Sequence, residues 1–512
     1  MLNIAHYLDA AVRRAPDTVA VVHDGVAFSY AHIDGLANRI ANGLTRAGFG
    51  RGSRIGLCCT NRPGFVASYF GILKIGGCVV SLDSTSTHRD FVKLLEDAQA
   101  EALLCVDGLD DTSIAERAVE AAAGIKSCKH VWIIPKDPSG RSPLRGVPAI
   151  SDLTAGCRST FVTAAVDPDD VAVVVYTSGT TGRRKGVQIT HGNVHSVAMM
   201  TLPLADPDLC RRRLAPNNLD CIMAQLYLVI LPVLCGHTTI LLERSDPEFV
   251  WQELVNERAT YLLQMPLYYK QLLDHANGVD ASRVRETLRL CATGGTVLPP
   301  EWSTAFAERF GPRLLPGYGA TEVTAAVSWT CPGDRYKTGA VGRPIPGVMV
   351  RIIDENGAGV PTGEKGEVIV RSPGIMKGYL GMNDATAAAV RDGWYHTRDY
   401  GALDDDGYLF VYGRADSKII CGYGRIDPTE IELILHEHPA VSLAAVIGVP
   451  HPELGQEAKA FVVLEKDQEI GAGQLLGWLK CQLPDAKCPR ILQLRDSLPL
   501  TETGKIAVHM LS

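Results

Sequence analysis

The chain has 512 residues, 46% hydrophobic and 21% charged, with 50 basic against 57 acidic side chains and a formal net charge of −7. Such proportions belong to a globular protein of about three structural units at roughly 150 residues each, and they exclude disordered, fibrous and disulfide-scaffold chains. The mild acidity argues against a protein whose main partner is nucleic acid or an anionic membrane.

In chain order, Met1 to His6 lack a charged segment followed by an apolar core, so no secretory leader is expected. Short β-branched runs then alternate with helical patterns up to about residue 300. Strands are predicted at Ala20–Val22, Ile55–Cys59, Cys78–Leu82, Ala102–Val106, Val131–Ile134 and Val171–Val175, and helices over His32–Ala47 and Asp90–Ala98. This alternation predicts an α/β architecture with largely parallel sheets. The basic run Arg211-Arg212-Arg213 is read as a solvated face. The apolar run Leu226 to Gly236, interrupted by Pro232, is too short to span a bilayer and is read as a buried element.

Beyond about residue 325 the strands shorten and are punctuated by Gly and Pro, which predicts a β-barrel-like subdomain. The last hundred residues return to mixed α and β, with a helix opening near Asp427-Pro428. The 14 cysteines show no C-x-x-C pair and no zinc-type spacing, so reduced thiols in a cytoplasmic protein are expected.

One loop carries chemistry. After the strand Val171–Val175 comes Tyr176-Thr177-Ser178-Gly179-Thr180-Thr181-Gly182-Arg183-Arg184-Lys185-Gly186, and then a second strand, Val187–Thr190. Glycines let the backbone approach an anion closely, the hydroxyls add donors and Lys185 adds a compact positive charge. A Walker loop would place Ser or Thr after the lysine and continue as a helix; here Gly186 and a strand follow.

This string resembles the phosphate loop of the adenylate-forming superfamily of acyl-CoA synthetases, nonribosomal adenylation domains and luciferases. Four more strings follow in that family's order: Gly317-Tyr318-Gly319-Ala320-Thr321-Glu322, Gly393 to Asp399, Tyr412 to Lys418, and Pro499 to Ile506. The resemblance implies a two-step reaction. A carboxylate attacks the α-phosphorus of ATP, releasing pyrophosphate, and a second nucleophile then displaces AMP from the acyl-adenylate.

By the same resemblance Thr177, Ser178, Gly179, Thr180, Thr181, Gly182 and Lys185 hold the phosphates. Glu322, beside Thr321, binds Mg²⁺, for which a hard carboxylate oxygen is suited. Gly294, Gly295, Thr296, Tyr318 and Gly319 line the adenine pocket, and Asp399 and Arg414 meet the ribose. Lys505 is the catalytic lysine, and Asp416 is the hinge between a large domain, residues 1–414, and a small mobile α+β domain, residues 415–512. The large domain is expected to hold two α/β subdomains and the barrel-like one. ATP, Mg²⁺ and CoA are the implied cofactors and co-substrates. The implied partners are a small organic acid and an acceptor: CoA, a carrier protein, or an amine if the product is an amide. No nucleic acid and no membrane span are expected.

Three departures from the family pattern stand out. Arg184 replaces the proline of the phosphate loop. Asn217 to Ile222 lack the aromatic–His pair common in CoA ligases, and Asp220 there reads as a cap or turn residue. Tyr423 adds bulk to a glycine-rich loop that lines the thiol tunnel in thioester-forming members, which keeps an amine acceptor, or an oxyacid such as nitrite, in view.

Overall fold

The computed structural model describes residues 2–108, 112–137, 140–177, 184–204, 206–414, 419–421, 424–452, 455–483, 487–501 and 505–511. The predicted strands up to residue 300 divide between two large sheets. In the first, the order is Gly378–Tyr379, Lys185–Thr190, Val171–Thr177, Cys78–Ser81, Arg54–Cys58, Ala102–Val106 and His130–Ile134. Its five central and distal strands run parallel, and Val171–Thr177 turns back antiparallel onto Lys185–Thr190. Every residue of Cys78–Ser81 and Ala102–Val106 is buried, as expected for strands covered by helices on both faces.

The second sheet runs Arg343–Pro344, Ser328–Trp329, Leu314–Tyr318, Leu290–Gly294, Tyr261–Gln264, Arg212–Ala215, Thr238–Leu241, Val19–His23 and Val26–Ser29. The parallel pairing of Leu290–Gly294 with Leu314–Tyr318 sets Gly294 beside Gly317, so two glycine-rich strand ends emerge together. The short strands past residue 325 assemble around Trp394–Leu403, a long antiparallel strand whose register slips once against each of its longer neighbours, Gly366–Arg371 and Leu409–Arg414. C-terminally, Val441–His451, Gly455–Leu464 and Ile491–Leu494 form a separate small sheet. It is covered by the helices Pro428–His436 and Ala472–Gln482 around its own apolar core.

Local signals explain the helix starts. The helix predicted from His32 begins earlier, at Tyr30, because the Ser29 hydroxyl accepts the His32 amide at 3.2 Å. Thr87 and Asp90 form a reciprocal cap that starts the next predicted helix at His88. Asp427 caps Pro428–His436 with Pro at its first position, as the sequence suggested. The apolar run around Pro232 is buried, as a π-helical segment Gln225–Ile230 followed by Leu231–Cys235.

Two further expectations concern the surface. Among the described residues no disulfide forms, and no helix is long and apolar enough to cross a membrane. The basic run at 211–213, however, is not a solvated face. Arg211 is exposed, Arg212 pairs with Glu257 at 2.7 Å, and Arg213 is fully buried, because strand alternation turns it into the sheet's covered side.

The two large sheets are tied together by a buried ionic cluster. Arg62 contacts Glu243 and Asp107, each at 2.7 Å, and Glu243 also accepts from Thr60 and lies 3.6 Å from His23. Burial pushes the Glu243 carboxyl up, but His23, Thr60 and Arg62 outweigh it and hold it near 2. A depressed folded-state pKa contributes stability that is present above the unfolded carboxylate range and lost as pH falls from about 4.5 towards 2. Glu243→Gln leaves Arg62 with Asp107 as its single carboxylate partner among the described residues and is expected to destabilise the protein by about 1–3 kcal/mol at pH 7. Urea titrations at pH 7 and pH 3 check this, and the deficit of the variant should shrink at the lower pH.

Candidate active site

The cleft lies where the ends of both large sheets, the antiparallel strands of residues 349–414 and the small C-terminal lobe meet. The hairpin of Val171–Thr177 and Lys185–Thr190 delivers Thr177 and Lys185 as register partners, both half-buried. The loop between them, including Ser178, Gly179, Thr180, Thr181 and Gly182, lies outside the described residues.

From the hairpin the site extends to Glu322. Tyr379, paired to Val187 at the sheet edge, carries the Lys185 ammonium 4.8 Å over its ring and donates its hydroxyl to Glu322 Oε1 at 2.8 Å. Thr321 and Glu322 open a one-turn helix that ends in Thr324 and Ala325, both with positive φ (56° and 75°). Left-handed backbone at two consecutive non-glycine residues is strain of the kind concentrated at functional turns. Tyr395, buried nearby, completes the phenol cluster; burial first, then the Glu322 charge, pushes its hydroxyl and that of Tyr379 upward, so both remain donors.

Tyr318 turns its hydroxyl to Asp399, which also receives Arg414 at 3.2 Å and a backbone-anchoring bond from its own amide to the Thr397 hydroxyl at 2.9 Å. Antiparallel register sets Asp399 opposite Arg414. Burial raises the Asp399 carboxyl, against the lowering pull of Tyr318, Arg414 and Lys505. Gly295 reaches this group through Lys505, and Gly294 and Thr296 adjoin it in the chain. Gly295 has φ +88°, and a Cβ there would meet Met265 Sδ at 2.8 Å and Lys505 Cε at 3.7 Å.

Lys505 therefore reaches the cleft from the C-terminal lobe. Its residue is exposed on a turn, yet the ammonium end is enclosed: burial lowers its pKa, and the Asp399 charge opposes that. The lobe is held in this position by Lys270–Glu465 at 2.7 Å and by an edge contact of Trp302 with His436, ring centroids 5.3 Å apart. The hinge residue Asp416 and the tunnel residue Tyr423 lie outside the described residues.

Register and contacts bring Thr177, Lys185, Gly294, Gly295, Tyr318, Glu322, Asp399, Arg414 and Lys505 into one neighbourhood, with Thr296, Gly319 and Thr321 next to them along the chain. Tyr379 and Tyr395 were given no role from the sequence, although Tyr395 stands inside the Gly393–Asp399 string, since a tyrosine in a strand gives no sign of its partners across the sheet. Asp220 lies in a turn, where its carbonyl is held by Ser81 at 2.8 Å and by Gln225.

Among the described residues no cluster of three His, Cys, Asp or Glu side chains could enclose a metal on its own. Glu322 suits Mg²⁺ in another way: Tyr379 occupies one carboxylate oxygen, and Mg²⁺ commonly takes one or two protein carboxylates, with phosphates and waters supplying the rest.

A cleft with a phosphate-type hairpin at one end, a deep carboxylate paired to Arg at the other and a lysine arriving from a separate lobe is that of a nucleotide-dependent ligase. The model of the AMP-binding enzyme family matches residues 8–380, that of the AMP-binding enzyme C-terminal domain matches 430–505, and the chain belongs to this family. Feruloyl-CoA synthase of Amycolatopsis sp is 34% identical over 502 residues, covering 96% of this chain and 95% of that protein. Among solved structures, ATP-bound MatB from Rhodopseudomonas palustris superposes with a TM-score of 0.89 at 28% identity, covering 100% of this chain and 98% of that one. The anthranilate CoA ligase AuaEII in complex with anthranoyl-AMP gives 0.89 at 25% identity, covering 98% and 95%. The chain is an AMP-forming acid ligase of the acyl-CoA synthetase type, which uses ATP to adenylate a small-molecule acid and CoA to receive the acyl group.

Proposed function

We propose that the acid is aromatic and that CoA is used in preference to a carrier protein or an amine. The observation that carries this reading is the wall beside the nucleotide site. Trp329 lies across the hairpin from Gly317, where a Cβ would come within 2.1 Å of the indole, and its ring stacks on Tyr227 at 5.4 Å and 25°. Two parallel rings next to the glycine that precedes Tyr318 favour a flat acyl group, held by offset stacking. The names of the feruloyl and anthranoyl relatives support the same substrate class.

In the first step an acid carboxylate oxygen attacks the α-phosphorus, the bond to the bridging oxygen breaks and pyrophosphate leaves. Thr177, Lys185 and the loop Ser178–Gly182 hold the β- and γ-phosphates. Glu322 with Thr321 would hold Mg²⁺, which supplies charge neutralisation to the departing pyrophosphate. Tyr318, Gly319 and Gly294–Thr296 enclose the adenine, while Asp399, oriented by Arg414, accepts the ribose hydroxyls. Lys505 brings the two anions together and stabilises the charge that develops between them. In the second step the CoA thiol, as thiolate, attacks the acyl carbon and AMP leaves. The body 415–512 turns about Asp416 between the steps, withdrawing Lys505.

Pyrophosphate release is to be measured over aromatic, aliphatic and dicarboxylic acids, each with CoA, a phosphopantetheinylated carrier or an amine. Release with aromatic acids, at least tenfold above the others, and an acyl-CoA product by mass are expected. An amide or carrier-bound product in place of acyl-CoA refutes the acceptor, and release confined to aliphatic acids refutes the substrate class.

A further inference from the structure

The nucleotide site leaves Arg213 without a role. It lies on Arg212–Ala215 within the nine-stranded sheet and is 1% exposed. Its Nη1 donates to the Tyr227 carbonyl at 2.9 Å, and its guanidinium sits 4.8 Å over the Tyr261 ring. Nε and Nη2 find no acceptor, the Tyr227 hydroxyl also has no partner, and among the described residues no carboxylate pairs with the charge. A buried cation with open donors is costly unless something satisfies it.

These open groups border a small cavity of about 10 Å³, walled also by Leu231, Leu290 and Trp329. That is room for about one oxygen atom. The far wall is the indole that lies over Gly317, so one ring separates the cavity from the strand leading into Tyr318. Tyr227 itself stands in the π-helical segment Gln225–Ile230, a distortion often found at functional positions.

We propose that this cavity is the distal subsite of the acyl pocket, and that it recognises a hydroxyl or phenolate oxygen on the far end of the aromatic acid. Arg213 Nε and Nη2 donate to that oxygen and Tyr227 supplies a third polar contact, while the ring edge packs against the Trp329 indole. A second carboxylate, with two oxygens and a carbon, exceeds the space. The inference rests on the aromatic-acid reading above and narrows it to ring-hydroxylated acids. Sites built to hydrogen-bond a substrate hydroxyl reject the analogue lacking it far more strongly than apolar pockets reject a missing methylene.

The test is acid-dependent ATP–pyrophosphate exchange with matched pairs, cinnamic against 4-hydroxycinnamic acid and benzoic against 3- and 4-hydroxybenzoic acid. The wild-type protein is expected to favour a hydroxylated member by at least tenfold in kcat/KM. Arg213→Met should lower kcat/KM for that acid about 100-fold while changing its unsubstituted partner less than threefold. Equal losses on both members, or no preference in the wild type, mean that Arg213 is a structural cation hydrated by one water, and the proposal falls. If Arg213→Met does not fold, Arg213→Lys keeps the charge but removes the forked donors, and an unchanged hydroxyl preference in that variant equally overturns it. Exchange with no aromatic acid at all sinks the aromatic reading together with this one, whereas exchange indifferent to the hydroxyl sinks this one alone.

Discussion

Lys505→Ala lowers acid-dependent ATP–pyrophosphate exchange by about 1,000-fold or more, the scale on which removing one preorganised electrostatic contact acts in a desolvated site. The Lys505 side chain lies close to Gly295, and the Asp399 charge attracts its ammonium against the lowering effect of burial. Because the backbone of Lys505 lies on an exposed turn, the alanine variant should melt within about 2 °C of the wild type, the shift expected of a surface change. Thioester formation from supplied acyl-adenylate should stay within about threefold, since the lysine serves only the first step. Near-normal exchange removes Lys505 from the mechanism; equal loss in both steps shows a role in closing the lobe instead. Burial also places the Lys505 pKa below the ordinary lysine range, and exchange requires the charged form. Activity should therefore be retained on the acid side of that pKa and fall away as pH rises through it, earlier than a surface lysine would predict. Lys505→Arg, if active, moves that limb to higher pH.

Glu322→Gln is expected to cut exchange about 100-fold or more and to raise the Mg²⁺ concentration needed for half-maximal rate. The substitution is nearly isosteric. The amide oxygen can still accept the Tyr379 hydroxyl, which in wild type donates to Glu322 at 2.8 Å, and the Met376 amide still reaches the residue 322 carbonyl, also at 2.8 Å. What disappears is the negative charge facing the phosphate hairpin, where a hard cation needs an anionic oxygen. A Mg²⁺ titration of exchange at saturating ATP separates the outcomes. A lower rate with unchanged Mg²⁺ dependence assigns Glu322 to positioning Tyr379 and Lys185 rather than to the metal.

Which parts of this site were legible in the chain follows from how their geometry is encoded. The phosphate hairpin, the Tyr318–Glu322 turn, the Asp399 strand and the Lys505 turn each consist of neighbouring residues whose backbone conformation is set locally by Gly, Thr and Asp. A short string therefore announces them. The helix start at Asp427 was legible for the same reason, as a cap that acts within three residues, whereas the caps Ser29 and Thr87 set starts two residues ahead of the expected ones. Tyr379 and Tyr395 were not legible, because their function comes from partners on other strands: Lys185 and Glu322 stand nearly 200 and about 60 positions away from Tyr379. Arg213 was misread outright. In a run of three arginines charge alone suggests solvent, and only its place in the sheet turns the third one inward.

By itself the sequence determined the α/β class and the division of strands and helices, since hydrophobic periodicity and turn chemistry are local properties, while the ATP-dependent chemistry and the expected site residues came from the resemblance of five short strings to a known family. The tertiary structure decided what lies between those residues: the phenols that join Lys185 to Glu322, the lobe position that brings Lys505 to Asp399, and the buried Arg213 behind Trp329. These depend on sheet order and register, which bring distant side chains to within a few ångströms and leave no trace in the spacing of the chain.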